Sequence, residues 1–118
     1  MSGRGPKRKK PAPPAAVVWT DRAIRDLLAI EEYIAEEDPA AATRWTTELM
    51  ARASKAAAVP YTGRMVPEVG RTDVREVLKG TYRIVYRVAE DGIAVLTVFE
   101  GHRLFPEDLG GDDADGDG

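Results

Sequence analysis

The chain has 118 residues, 43% of them hydrophobic and 31% charged, with a formal net charge of -3. That length and balance fit one modest globular domain. The absence of cysteine excludes disulfides, thiolate catalysis and cysteine-based zinc sites.

The charge is unevenly placed. Residues 1–10 carry Arg4, Lys7, Arg8, Lys9 and Lys10 without an acid, and residues 107–118 carry six acids without a base. No run approaches the ~18 apolar residues needed to span a bilayer. The basic start is followed by Pro-Ala-Pro-Pro-Ala-Ala, not by an apolar signal core. The chain therefore reads as cytoplasmic. Residues 1–15 and 110–118 lack the apolar content to offset their ordering entropy and are expected to be disordered. The folded unit is expected over 16–109.

Val17–Trp19 is a short β-prone run. Thr20 and Asp21 offer side-chain oxygens to cap a helix. From Asp21 to about Glu37, Ile24, Leu27, Leu28, Ile30, Tyr33 and Ile34 recur at roughly helical spacing. Asp38-Pro39 reads as an N-cap followed by a first helical residue, where the missing N–H of proline is no loss. A second helix follows to about Ala57, carrying Trp45, Leu49 and Met50, and Val59-Pro60 ends it. Two helices across so short a break make an antiparallel hairpin.

Beyond Pro60 the period changes. Residues 61–73 hold Gly63, Pro67 and Gly70 and read as a loop or irregular strand. Val74–Lys79, Thr81–Ala89 and Ile93–Phe99 read as strands, joined by turns at Gly80-Thr81 and Glu90-Asp91-Gly92. The expected class is α+β: an N-terminal strand and a helical hairpin packed on an antiparallel β-sheet.

Alternation sets Tyr82, Ile84, Tyr86 and Val88 against Arg83, Val85 and Arg87. The first set is expected to face the helices. With Leu78 placed inside as well, Arg75, Lys79, Arg83 and Arg87 point together to the other face, where Arg103 can join them. Five cations on one face suit an anionic partner, because guanidinium forks bind phosphate or carboxylate bidentately. The alternative is an ordinary solvated sheet face. His102, the only histidine, has a side chain suited to acid–base work; it reads equally as a surface residue after a strand. Tyr82 and Tyr86 could offer hydroxyls to a ligand, though Tyr86 reads better as a core aromatic. Gly63 and Gly80 are turn glycines without phosphate-loop spacing.

The stretches Gly63-Arg64-Met65-Val66-Pro67-Glu68, Arg75-Glu76-Val77-Leu78, Tyr82–Val88 and Val95–Arg103, in this order after a helical hairpin, resemble the RelE/ParE family of toxins. The resemblance covers about residues 16–106. It implies the toxin of a type II toxin–antitoxin pair, of plasmid-stabilisation type, held inactive by a cognate antitoxin, with no cofactor. RelE-like members are ribosome-dependent endonucleases that cut mRNA; ParE-like members poison DNA gyrase. The long hairpin here resembles the ParE side. The segment after Arg103 reads Leu104-Phe105-Pro106 and lacks the C-terminal Tyr usual in the nucleases, so gyrase inhibition is the favoured expectation. On the nuclease alternative the catalytic candidates are Arg75, Arg83, His102 and Arg103. On either, Arg75, Lys79, Arg83, Arg87 and Arg103 are candidates for binding target or antitoxin. An orphan member acting only as a binding module is a further alternative.

Overall fold

A computed structural model describes residues 15–109. The disorder expected of the two tails therefore falls almost wholly outside the described residues.

Strand β1 (Ala16–Trp19) leads into helix α1 (Asp21–Ala35) through Thr20, whose hydroxyl accepts from the Ala23 amide at 3.1 Å and donates to the Val95 carbonyl at 2.8 Å. One side chain thus caps the helix and ties its start to the sheet. Asp38 caps α2 (Pro39–Ala58) by accepting from the Ala41 amide, with Pro39 in the first turn. A single 3-10 turn, Pro60–Thr62, follows. The remaining strands are β2 (Arg64–Met65), β3 (Val74–Lys79), β4 (Tyr82–Ala89) and β5 (Gly92–Glu100). A last 3-10 turn spans Glu107–Leu109.

The five strands form one sheet in the order β1-β5-β4-β3-β2. The expected antiparallel meander of β3, β4 and β5 is present, and β1 adds a parallel edge beside β5, so the sheet is mixed. The irregular segment after Pro60 contributes only the two-residue β2. The fold is α+β, two helices on one face of a sheet.

The helices bury Ala23, Leu49, Ala53, Ala56 and Ala57 against Val77, Ile84, Tyr86, Ile93, Val95 and Val98. Alanines on α2 bring the helix close to the sheet. On α1 the inward stripe is Ala23, Leu27, Ile30, so Ile24, Leu28 and Tyr33, read as part of the apolar period, lie exposed, as does Met50 on α2. Tyr86 is fully buried and donates its hydroxyl to the Pro60 carbonyl at 2.6 Å. Gly63 makes room for it: a Cβ there would sit 2.2 Å from that hydroxyl oxygen. Gly80, at φ 59°, makes the β3–β4 turn beneath the Trp45 ring.

The sheet's other face is also covered. Val66, Val74, Val85 and Phe99 form a second small core, packed by Val69, Leu96 and Phe105 from the β2–β3 loop, β5 and the C-terminal segment. A bulge makes this possible. Val85 pairs with Thr97 while Tyr86 pairs with Val95, leaving Leu96 without a partner. The extra residue shifts the alternation, so Val95 and Val98 both face the helices while Leu96 and Phe99 both face away. β1 pairs only as far as Val95. Beyond it α1 runs along the open edge of β5, where Asp26 accepts from the Val98 amide at 3.1 Å and the Thr97 hydroxyl.

Candidate functional site

Arg83 has the place that alternation gives it, on the face away from the helices, but that face is not solvated there. Arg83 is 9% exposed and Glu76, beside it, 1%. Its Nε donates to Glu76 Oε1 at 2.6 Å, and its two Nη atoms donate to the two Glu68 oxygens at 3.0 and 2.9 Å. Glu76 also accepts from Arg64, and the Arg83 guanidinium lies over Phe99 and Phe105, 5.2 and 5.4 Å from their ring centroids. The Arg83 hydrogen bond holds the Glu68 carboxyl below its ordinary value of 4.5, outweighing partial burial. The Glu68 and Glu76 bonds in turn raise Arg83. Every fork of this guanidinium is engaged by a carboxylate, so it has no free geometry with which to clamp a phosphate.

The remaining cations do not join it. Val77 pairs with Ile84 and is buried among the helix-facing residues, whereas Leu78 pairs with Arg83 and is 55% exposed. The placement of Leu78 inside is corrected, and with it the direction of Arg75 and Lys79, which lie on the helix side with Val77. The physical reason is that β3 offers apolar residues in both phases, Val74 and Leu78 in one and Val77 in the other, so alternation alone does not decide. Arg75 donates to the carbonyls of Thr72 and Gly63, at 2.8 and 3.1 Å, and stands 5.2 Å over the Tyr61 ring. Lys79 is 3.7 Å from Glu48 of α2. Arg87 shares the Arg83 face but is exposed, opposite Ala94, roughly 13 Å along the strand from Arg83. The expected single face of Arg75, Lys79, Arg83, Arg87 and Arg103 is thus divided between both sides of the sheet.

His102 and Arg103 follow β5 and are both exposed. His102 Nδ1 is 2.7 Å from Glu100 Oε2, and its backbone amide donates to Glu100 Oε1. The His102 contacts hold the Glu100 carboxyl below the usual range. Arg103 lines a groove of about 630 Å³ between α1 and the ends of β4 and β5, with Asp26, Ile30, Tyr33, Tyr82 and Phe99 among the walls. Burial pushes the Tyr82 hydroxyl up, and nearby Glu100 adds to this. Tyr33, 72% exposed, stands at the rim. Of the expected binding residues only Arg103 reaches this groove. Tyr33 was hidden because its spacing fits the apolar period of α1, and Asp26 because it reads as one acid among many. Among the described residues no group of three His, Asp or Glu side chains is placed to hold a metal ion, and no helix is long and apolar enough to cross a membrane.

Residues 17–105 match the family model described as ParE toxin of type II toxin-antitoxin system, parDE. The chain belongs to the RelE/ParE family of toxins. Among curated relatives it is 36% identical over 91 residues to Toxin RelE2 of Caulobacter vibrioides, covering 76% of this chain and 99% of that protein. It is 35% identical over 94 residues to the putative toxin Y4kP of Sinorhizobium fredii, covering 77% and 93%. The fold matches a solved chain of the chromosomal ParDE TA system from P. aeruginosa with a TM-score of 0.60 at 22% identity, over 74% of this chain and 96% of that one. As a RelE/ParE family member the chain is the toxin of a type II system, and such a toxin has an antitoxin as its partner. The family-model match runs from Val17 in β1 to Phe105, so the helical hairpin, the meander and the Arg83 network all lie inside the family domain.

Proposed function

We propose that this toxin acts in the cytoplasm by binding and inhibiting DNA gyrase, in the manner of ParE-like toxins, and that it does not cut mRNA. The observation that carries the reading is the state of Arg83. A nuclease of this fold needs uncommitted cations converging where charge builds on the scissile phosphate. Arg83 is neutralised by Glu68 and Glu76, Arg75 lies on the opposite face bonded to carbonyls, and His102 with Arg103 stands apart at the end of β5. An inhibitor needs only a shaped surface, and the groove lined by Tyr33, Tyr82 and Arg103 offers exposed aromatic area beside a cation, the composition favoured at protein interfaces.

The nuclease reading keeps one supporting feature, the His102–Glu100 pair beside Arg103, a local acid–base group. Induction in a bacterial host, followed by gyrase supercoiling assays and by primer extension on ribosome-bound messages, separates the two. Loss of supercoiling with intact messages is expected. Cuts at codon positions that require translation would reverse the assignment. Normal growth with abundant folded protein and no antitoxin would favour an orphan binding module.

A further inference from the structure

Outside that groove the charge of the toxin is strongly polarised. The hairpin tip, residues 31–43, holds Glu31, Glu32, Glu36, Glu37 and Asp38 and no base. Between Glu48 and Glu68 the balance inverts, with Arg52, Lys55 and Arg64 and no acid. The fold gathers part of this second stretch on one flank. Arg52 and Lys55 lie three apart on α2, one turn beyond Glu48, which meets Lys79 of β3. Arg75 lies on the same side of β3, paired across the ladder with Met65. The Glu48–Lys79 pair turns this flank of α2, Arg52 included, toward β3. Tyr61, 58% exposed, and Met65, 41% exposed, adjoin Arg75, which stacks over the Tyr61 ring.

Among the described residues no carboxylate is within ion-pair distance of Arg52, Lys55 or Arg75, and Arg75 is bonded only to carbonyl dipoles, so the flank keeps its positive charge. A solvated surface would not need Tyr61, Met65 and Val59 exposed together beside it.

We infer that this flank, formed by Arg52, Lys55, Tyr61, Met65 and Arg75, is a docking surface for an acidic segment of the antitoxin in which carboxylates alternate with apolar side chains. The inference rests on the reading of the chain as an antitoxin-neutralised toxin. The cations meet the carboxylates, and the aromatic and thioether groups bury the apolar residues between them. A nucleic-acid backbone fits less well. A domain carrying more acids than bases repels a polyanion at range.

The test uses the full chain and its cognate antitoxin, with the variants Lys55→Glu and Arg52→Glu/Lys55→Glu measured beside the parent. Lys55 is exposed and Arg52 half-buried, neither in an ion pair among the described residues, and thermal melting checks that the fold is kept. The affinity of the double variant for the antitoxin is expected to fall ten- to a hundredfold, that of Lys55→Glu by a smaller factor, and the parent's affinity to weaken as salt rises. Unchanged antitoxin affinity in folded variants would overturn the flank assignment while leaving the toxin reading intact. A parent that binds no antitoxin would overturn both. Loss of binding to a single-stranded RNA or duplex DNA probe with antitoxin affinity unchanged would assign the flank to nucleic acid, and loss of self-association alone would assign it to a second copy; either result overturns the proposal.

Discussion

The two faces of the sheet are both covered, but by different chemistry. On the helix side Leu49, Ile84, Tyr86, Val95 and Val98 pack as a conventional apolar core, and the buried Tyr86 hydroxyl has a carbonyl partner. On the far side a handful of apolar residues surrounds charges: Arg83 and Glu76 lie deep, with Glu68 and Arg64 closing over them. The first face is held by area removed from water, the second by the mutual satisfaction of ions that are costly to bury singly. A cation in the outward phase of a strand can therefore be structural whenever a loop and a chain end supply its counter-charges and its lid.

The most direct way to break this comparison is to remove one ion and leave the others. Arg83→Ala leaves buried Glu76 with only the exposed Arg64 and leaves one of its oxygens unpaired, and breaking a buried pair typically costs about 3–5 kcal/mol. The melt should fall steeply, and toxicity with it, as a consequence of unfolding. Replacing both charges, as in Glu76→Met with Arg83→Met, should recover much of the loss, because apolar substitutes for buried pairs are often neutral. A melt of Arg83→Ala close to the parent's would show that water replaces the guanidinium and that the far face is open. On the helix side Leu49→Ala gives the matching measurement. Its loss of about 2–5 kcal/mol should have no second-site charge rescue.

The fold was legible where one signal dominated. Asp38-Pro39 set the hairpin turn, Asp91-Gly92 set the last β-turn, and the run Tyr82-Ile84-Tyr86-Val88 set the inner face of β4. The sense of β3 was not legible, because Val74, Val77 and Leu78 satisfy either phase and only pairing with β4 chooses Val77. Nor was the bulge at Leu96, which moves Phe99 to the far side beside Arg83. The lid was hidden for a different reason. Glu68 and Phe105 are 15 and 22 residues from Arg83 in opposite directions, and nothing local marks them as its partners. The candidate site was the least legible part, since alternation drew one open basic face where Arg83 is buried and Arg75 and Lys79 lie on the other side of the sheet.

Smaller changes sharpen the contrast by loosening the lid alone. Phe105 packs edge-on against Phe99, with centroids 5.7 Å apart, and covers Arg83. Because it is only half-buried, Phe105→Ala should cost about 1–1.5 kcal/mol, a fraction of a full aromatic burial, and hydrogen exchange should rise in β4 residues near Arg83 before those near Tyr86. Acid should act on the same face. Glu68 is held below 4.5 in the fold, so its contribution is complete above that ordinary value and is lost as pH falls through the lowered one. Thermal stability of the parent should therefore decline below about pH 4.5 more steeply than that of Glu68→Gln. Parallel slopes would mean that the carboxylate contributes nothing beyond its uncharged form.

The smallest expected effect on the fold belongs to Arg103, which sits outside both cores. It is exposed, follows the last strand and lines the groove with Tyr33 and Tyr82. No structural ion depends on it among the described residues, so Arg103→Ala should shift stability within about ±0.5 kcal/mol, the usual range for surface positions. Its effect on function should be larger. If the groove receives a protein target, removing the guanidinium loses a charged hydrogen bond of about 1.5–3 kcal/mol, roughly a ten- to hundredfold loss of target affinity. Tyr33→Ala should act in the same direction, since it deletes exposed aromatic area without touching a core contact. Arg83→Lys provides the opposite control: it keeps the charge, loses the bidentate fork to Glu68 and the bond geometry to Glu76, and should lower the melt while the protein that remains folded inhibits as the parent does. If instead Arg103→Ala leaves inhibition unchanged and Arg83→Lys abolishes it at temperatures where the protein is folded, the functional cation is the buried one, and the far face must open to act.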